Sequence, residues 1–258
     1  MYFAGVDVGA LTTKVVILED GKIGSYAISR TGVEVKKSVE DVFNLALKKL
    51  GISREQVKSI TATGYGRNIA TVFLADKKVT EITCHAKGAK WLFPTCRTVI
   101  DVGGQDSKVI RLDKNGRVVD FAMNDKCAAG TGRFLEVMAN ALEVNLSELG
   151  KLSLQSKNKV NITSTCTVFA ESEVISLLAE GKSKVDIIAG LHDAIATRLA
   201  GLVGNVGGVV PDVVMTGGVA KNIGIIKALE KKLNCKILLP DEPQIVGALG
   251  AALISANL

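Results

Sequence analysis

The feature that most constrains this chain is a duplication. Ala4 to Ala10 is an apolar run ending in Val6-Asp7-Val8-Gly9. It is followed by Thr12-Thr13-Lys14, a strand Val15 to Leu18, an Asp20-Gly21 turn and a strand Ile23 to Ile28. Ninety-four residues later, Thr98-Val99-Ile100 runs into Asp101-Val102-Gly103-Gly104-Gln105, then a strand Lys108 to Leu112, a turn Asp113-Lys114-Asn115-Gly116 and a strand Val118 to Ala122. Each copy is a strand, a glycine turn with an aspartate at its mouth, and a hairpin whose tip carries Asp-Gly or Asn-Gly. Helices follow both copies. Ser38 is predicted to cap a helix that buries Val42, Phe43, Ala46 and Leu50 and stops at Gly51, while Phe134 to Leu142 and Val168 to Ala179 are amphipathic after the second copy. The expected fold is therefore α/β with two similar halves, 1–94 and 95–258, and a cleft between them.

A third strand-to-glycine junction, Val213 to Ala220, contains Thr216-Gly217-Gly218-Val219 and leads into a helix beginning near Lys221-Asn222. The last element, 245–255, is a small-residue helix suited to close packing. Strands that end in glycine turns place backbone N–H groups where open α/β sheets bind ligands, and phosphate is the obvious guest. Neither a complete P-loop nor a Gly-x-Gly-x-x-Gly is present: Gly181-Lys182-Ser183 lacks the first Gly, since position 176 is Ser. What remains is Asp7 and Asp101 in equivalent positions, and two carboxylates facing each other across a cleft suit a hydrated Mg²⁺ bridging nucleotide phosphates. This arrangement resembles the sugar kinase, actin and chaperone ATPase superfamily. The resemblance implies that Gly9, Ala10, Leu11, Thr12, Thr13 and Lys14 form a first phosphate loop and Asp101 to Asp106, with Gly103 and Gly104, a second. It also implies that Gly217, Gly218, Val219 and Asn222, with Gln244, hold adenosine, and that 245–255 lies at the hinge.

Composition excludes several classes. With 47% hydrophobic and 22% charged residues the 258-residue chain reads as globular. Its net charge of +6 is scattered without a basic stripe, and its eleven aromatics make a poor stacking platform, so no nucleic acid partner is expected. The longest uncharged stretch, 243–258, is shorter than the ~20 residues of a membrane span. The N-terminus has no basic n-region and meets Asp7 early, so a cytoplasmic location without membrane association is expected. Five cysteines (84, 96, 127, 166, 235) without a Cys-x-x-Cys do not read as a disulfide framework.

Cys127, in Asn124 to Gly132, and Cys166, in Ser164 to Thr167, each precede a predicted helix. A helix N-terminus stabilises a thiolate or an anionic cluster, although a free cysteine is also a common small core residue. Two thiolates are half of a four-cysteine set, so a cluster would have to lie on a two-fold axis between subunits. The blocks Ala62 to Arg67, Val99 to Asp106, Met123 to Glu136 and Ser164 to Ser176 closely resemble the ATP-dependent activators of 2-hydroxyacyl-CoA dehydratases. These archerases are grouped with the ATPase subunits of benzoyl-CoA reductase and the reductases of double-cubane cluster proteins. The resemblance covers nearly the whole chain. It implies a homodimer sharing one four-iron four-sulfur cluster through Cys127 and Cys166, and hydrolysis of ATP to ADP with Mg²⁺ at Asp7 and Asp101. It further implies a ferredoxin or flavodoxin as electron donor and an iron–sulfur dehydratase or reductase as acceptor. Gln105 is the candidate for orienting the attacking water. The alternative on the same fold is a small-molecule kinase. One departure stands out: Ala10 and Leu11 replace two hydroxyl residues usual in relatives, leaving backbone N–H groups, Thr12 or Thr13, and Lys14 to contact phosphate. Cys84-His85, Cys96, Cys235 and Trp91 read as packing residues, and His192 as a solvated or satisfied histidine rather than a base.

Overall fold

Strand parity organises both halves. In the first, β1 (Tyr2–Val8), β2 (Thr12–Glu19) and β3 (Lys22–Arg30) form an antiparallel meander, α1 (Val35–Leu50) crosses the sheet, and β4 (Val57–Thr63) returns parallel to β1. α2 (Arg67–Phe73) and the short β5 (Lys77–Lys78) complete a sheet of order β3-β2-β1-β4-β5. Successive side chains on β2 point to opposite faces, so Val15 and Ile17 pack under α1 while Val16 and Leu18 pack on the other face. Both faces are covered, which is why β1 is buried from Ala4 to Val8 without polar alternation.

The second half repeats the plan. α3 (Glu81–Leu92) leads to β6 (Thr98–Val102), β7 (Ser107–Leu112) and β8 (Val118–Asn124), then α4 (Gly132–Ala141), α5 (Leu149–Ser153), α6 (Thr167–Ala179) and α7 (Lys184–Asn205). β9 (Val213–Thr216), α8 (Ile223–Leu233), β10 (Ile237–Leu238) and α9 (Val246–Ser255) close the fold. The sheet order β8-β7-β6-β9-β10 is that of the first sheet, strand for strand. The structure, a computed structural model, describes residues 1–163 and 166–258; the Ser164-Thr165 part of the second cysteine block lies outside the described residues.

The two halves exchange their hinge helices. α3 falls by sequence within the first half, 1–94, yet its Ala86 and Ala89 pack on Val99, Ile110, Leu112 and Val214 of the second sheet. α9 ends the chain, yet its Ala248, Leu249, Ala252 and Leu253 cover Val16 and Leu18 of the first sheet. The two helices also touch each other: a Cβ at Gly250 would land on the Cys84 carbonyl, so their backbones meet only because small residues line the contact. A cut at residue 94 thus separates the sheets but not the helices that cover them.

Three local expectations are corrected, and the solvated-or-satisfied alternative for His192 is narrowed to a buried histidine whose Nε2 meets the Asn222 amide. α1 begins at Val35, because Ser38 N–H already bonds Glu34 O; the Ser38 hydroxyl accepts from Gly32 N instead of capping. Gly51 ends the helix as expected, at φ +66°, but Leu50 is only half-buried. Trp91 is 41% exposed, since α3 turns Cys84, His85, Ala86, Gly88 and Ala89 inward and Trp91 outward. His192 is 1% exposed, inside α7 among Ile188, Leu191 and Ile195. α7, at 22 residues, is long and apolar enough by composition to cross a membrane, but its Ile187, Leu191, Leu199 and Val203 form the core of the second half.

A candidate site in the cleft between the repeated halves, and two cysteine loops

The two sheets carry the same constellation at their facing ends. Asp7 lies opposite Lys14 in the β1–β2 register and beside Thr63 on β4; Asp101 lies opposite Lys108 and beside Thr216 on β9. Lys14 Nζ is 3.0 Å from Asp7 Oδ2, and Lys108 Nζ is 3.5 Å from Asp101 Oδ2. A glycine follows each threonine, Gly64 at φ +88° and Gly217 at φ +85°. A Cβ at either would strike the Val8 or Val102 carbonyl and approach Asp7 Oδ1 to 2.6 Å or Asp101 Oδ1 to 2.9 Å. Only glycine combines that φ with that approach.

Between the halves lies a cleft of about 740 Å³, within the range of small-molecule sites. It gathers Asp7, Gly9, Ala10, Leu11, Thr12 and Lys14 from the first half with Asp101, Gly103, Gly104, Gln105, Gly217, Gly218, Val219, Asn222 and Gln244 from the second. Thr13 is not among them: it is fully buried, its hydroxyl 2.9 Å from Thr31 Oγ1, and it braces the loop from behind. The Leu11 side chain reaches across to lie against Gly104. Gly9 and Gly103 spend their N–H groups inside the turns, on Thr12 O and Asp106 O at 3.1 and 3.0 Å. The N–H groups of Ala10, Leu11, Gly104 and Gln105 have no partner among the described residues, and such paired donors suit phosphate oxygens. The donor set of the floor, two buried carboxylates, suits Mg²⁺ through water.

Sequence reasoning missed the charge network behind Asp101. Lys108 Nζ is 2.7 Å from both Glu81 Oε2 and Asp106 Oδ2, all nearly buried, and Tyr65 Oη donates to Asp106 Oδ2 at 2.9 Å. Burial alone would depress the Lys108 ammonium, but Asp101, Glu81 and Asp106 outweigh it and hold its pKa above the usual lysine range. Burial pushes Asp101 up, yet His85, Lys108 and the Thr216 hydroxyl bring it below the ordinary carboxylate value. Burial beside Asp106 raises Tyr65 to about 12. The Lys108 signal was present in the chain, because Asp and Lys stand seven apart in both copies. His85 corrects a packing assignment: its Nδ1 is 3.5 Å from Asp101 Oδ1 and 3.1 Å from Thr216 Oγ1, in the cleft wall. Its neighbour Cys84 is core, as are Cys96 and the partly buried Cys235; burial raises the Cys84 and Cys96 thiols to about 12.

Asn222 caps α8 through its side-chain oxygen, which accepts from Gly224 N and Ile225 N. Its amide nitrogen is 3.2 Å from His192 Nε2, which ties the predicted adenosine turn to the core of the second half.

Cys127 and Cys166 lie outside the cleft and are half-buried. Cys166 is the N-cap of α6, as expected. Cys127 is not at a helix start: α4 begins five residues later, with Thr131 at the N-cap position, and Cys127 sits in a loop braced by Asn124, whose amide donates to Cys127 O at 2.8 Å. Two soft thiol donors fit half of an iron–sulfur ligand set. Among the described residues no group of three or more His, Cys, Asp or Glu side chains placed to hold a metal ion occurs. The loop connects to the cleft: Gly132 N donates to Gly103 O at 2.9 Å and Arg133 N to Gly104 O at 2.8 Å, pinning the start of α4 to the second glycine turn.

The repeated sheets and the cleft they share place the protein in the actin-like class of ATPases. Within that class the chain belongs to the BadF/BadG/BcrA/BcrD ATPase family, whose model matches residues 4–255. It is 50% identical over 258 residues to the 2-hydroxyisocaproyl-CoA dehydratase activator of Clostridioides difficile, an alignment covering 98% of this chain and 94% of that one. The crystal structure of (R)-2-hydroxyglutaryl-CoA dehydratase component A from Acidaminococcus fermentans matches with a TM-score of 0.96 at 48% identity, over 100% of this chain and 98% of that one. The Clostridium difficile activator of the 2-hydroxyisocaproyl-CoA dehydratase with bound ADPNP matches with a TM-score of 0.95 at 48% identity, over 100% and 95%.

Proposed function

We propose that this ATPase is a one-electron donor that activates a partner iron–sulfur enzyme, a 2-hydroxyacyl-CoA dehydratase or a related benzoyl-CoA reductase-like or double-cubane protein. The observation that carries the reading is that one chain, half identical along its length to a dehydratase activator, joins a duplicated Asp–Gly cleft to two accessible cysteine loops. In the cleft, Asp7 and Asp101 hold a hydrated Mg²⁺, the N–H groups of the two glycine turns take phosphate oxygens, and Gln105 orients water. Gly217, Gly218, Val219, Asn222 and Gln244 hold adenosine. Cys127 and Cys166, with the same pair from a second copy, would hold one four-iron four-sulfur cluster, which when bound supplies one-electron redox chemistry charged by a ferredoxin or flavodoxin.

A homodimer is supported by the surface around the cysteines. β8, an edge strand leading to Cys127, exposes Val119, Phe121 and Met123, and the first turn of α6 after Cys166 exposes Val168 and Phe169. Unpaired edges and clustered exposed apolar residues are covered in stable proteins. Coupling runs through this chain's backbone: a shift of the Gly103–Gly104 turn upon phosphate must move Gly132 and the Cys127 loop.

The test is iron and sulfide analysis of anaerobically purified protein beside Cys127→Ser and Cys166→Ser variants. Both variants are expected to lose the cluster and electron transfer while keeping nucleotide affinity. Retention of about four irons per dimer in either variant would contradict the ligand assignment.

A further inference from the structure

Five lysines and arginines line the cleft, and four are already neutralised: Lys14 by Asp7, Lys108 by Glu81 and Asp106, Arg133 by Glu136, and Lys221 by Glu242. The side chain of Arg30, the last residue of β3, has no hydrogen-bond or ion-pair partner among the described residues. Backbone contacts hold it at the edge of the first glycine turn. Arg30 pairs with Thr12 in the β2–β3 register. The next residue, Thr31, donates its N–H to Leu11 O at 3.0 Å and its hydroxyl to Gly9 O at 2.8 Å.

That turn is short of phosphate ligands. Ala10 and Leu11 carry no hydroxyl, Thr13 is buried, and Lys14 is held on Asp7. An unneutralised guanidinium beside unpaired backbone N–H groups offers what the turn lacks, a forked donor matched to two phosphate oxygens. The residues assigned to adenosine come from the opposite half, so Arg30 stands across the cleft from them, on the side of the first glycine turn. Resting on the reading of the cleft as an ATP site, we propose that Arg30 binds the terminal phosphate of the nucleoside triphosphate and is the residue by which this chain tells ATP from ADP.

Calorimetric titration of the anaerobically purified holoprotein with Mg-ADPNP and Mg-ADP tests this in the wild type, Arg30→Gln and Arg30→Lys. Arg30→Gln should weaken ADPNP about tenfold or more, the worth of one charge-assisted hydrogen bond, and ADP less than about threefold, with Arg30→Lys between. Arg30 is exposed, so unchanged iron content and far-UV circular dichroism are expected in both variants. Equal losses for the two nucleotides, or no loss, would overturn the assignment of Arg30. A wild type that binds neither nucleotide would instead overturn the ATP reading itself.

Discussion

Replacing His192 removes a buried base whose cost can be calculated from its surroundings. Its Nε2 meets the Asn222 amide at 3.2 Å, its Nδ1 has no partner among the described residues, and burial lowers its pKa to about 4 from 6.5. The folded pKa lies below the unfolded one, so as the pH falls past 6.5 the unfolded chain takes up the proton first. The contribution to stability is complete above pH 6.5 and is lost progressively as the pH falls toward 4. At 1.36 kcal/mol per pH unit, moving from pH 7.5 to pH 5.0 costs the wild type about 2 kcal/mol at this residue. Glutamine does not titrate and retains an amide for Asn222. Urea unfolding of wild type and His192→Gln at both pH values yields a double difference in which the shared carboxylates cancel. The wild type should lose about 2 kcal/mol more than the variant. Equal pH dependence within about 0.5 kcal/mol, the usual additivity error, would refute the argument.

Asp7→Asn or Asp101→Asn should lower Mg²⁺-dependent ATP turnover by a factor on the order of 10²–10³, the range for removing one electrostatic catalytic contact; undiminished turnover in both would sink the two-carboxylate site. Lys108→Met should destabilise the fold by about 3–5 kcal/mol, because it strands Glu81, Asp106 and Asp101 as uncompensated buried charges; an unchanged urea midpoint would show that the carboxylates protonate or hydrate at little cost. Gly217→Ala should cost roughly 1–3 kcal/mol from its backbone conformation alone, φ 85° and ψ 174°, a region essentially reserved for glycine, with a larger loss of ATP affinity as the turn shifts from the Val102 carbonyl; calorimetry with Mg-ADPNP reads the second effect.

Much of this protein was legible in the chain because much of it is local. An apolar run that stops at Asp-x-Gly, and a hairpin tip that carries Asp-Gly or Asn-Gly, announce strand ends and turns within a few residues. Finding them twice, 94 residues apart, led to two copies of one sheet and to Asp7 and Asp101 in one cleft. Cys166 at a helix start was equally local. The tertiary structure decided what depends on distance in space between segments remote in sequence. His85 and Trp91 share a helix, but only its docking on the second sheet turns one to Asp101 and the other to solvent. Lys108 became a buried hub because α3 brings Glu81 to it, and Arg30 became a cleft residue because β3 is stitched to the first glycine turn. Sequence periodicity reports which face of an element is apolar, but not which partner covers it. The exchange of α3 and α9 between the halves was therefore settled by packing, since each sheet could bury its open face only under the helix that the chain delivered there.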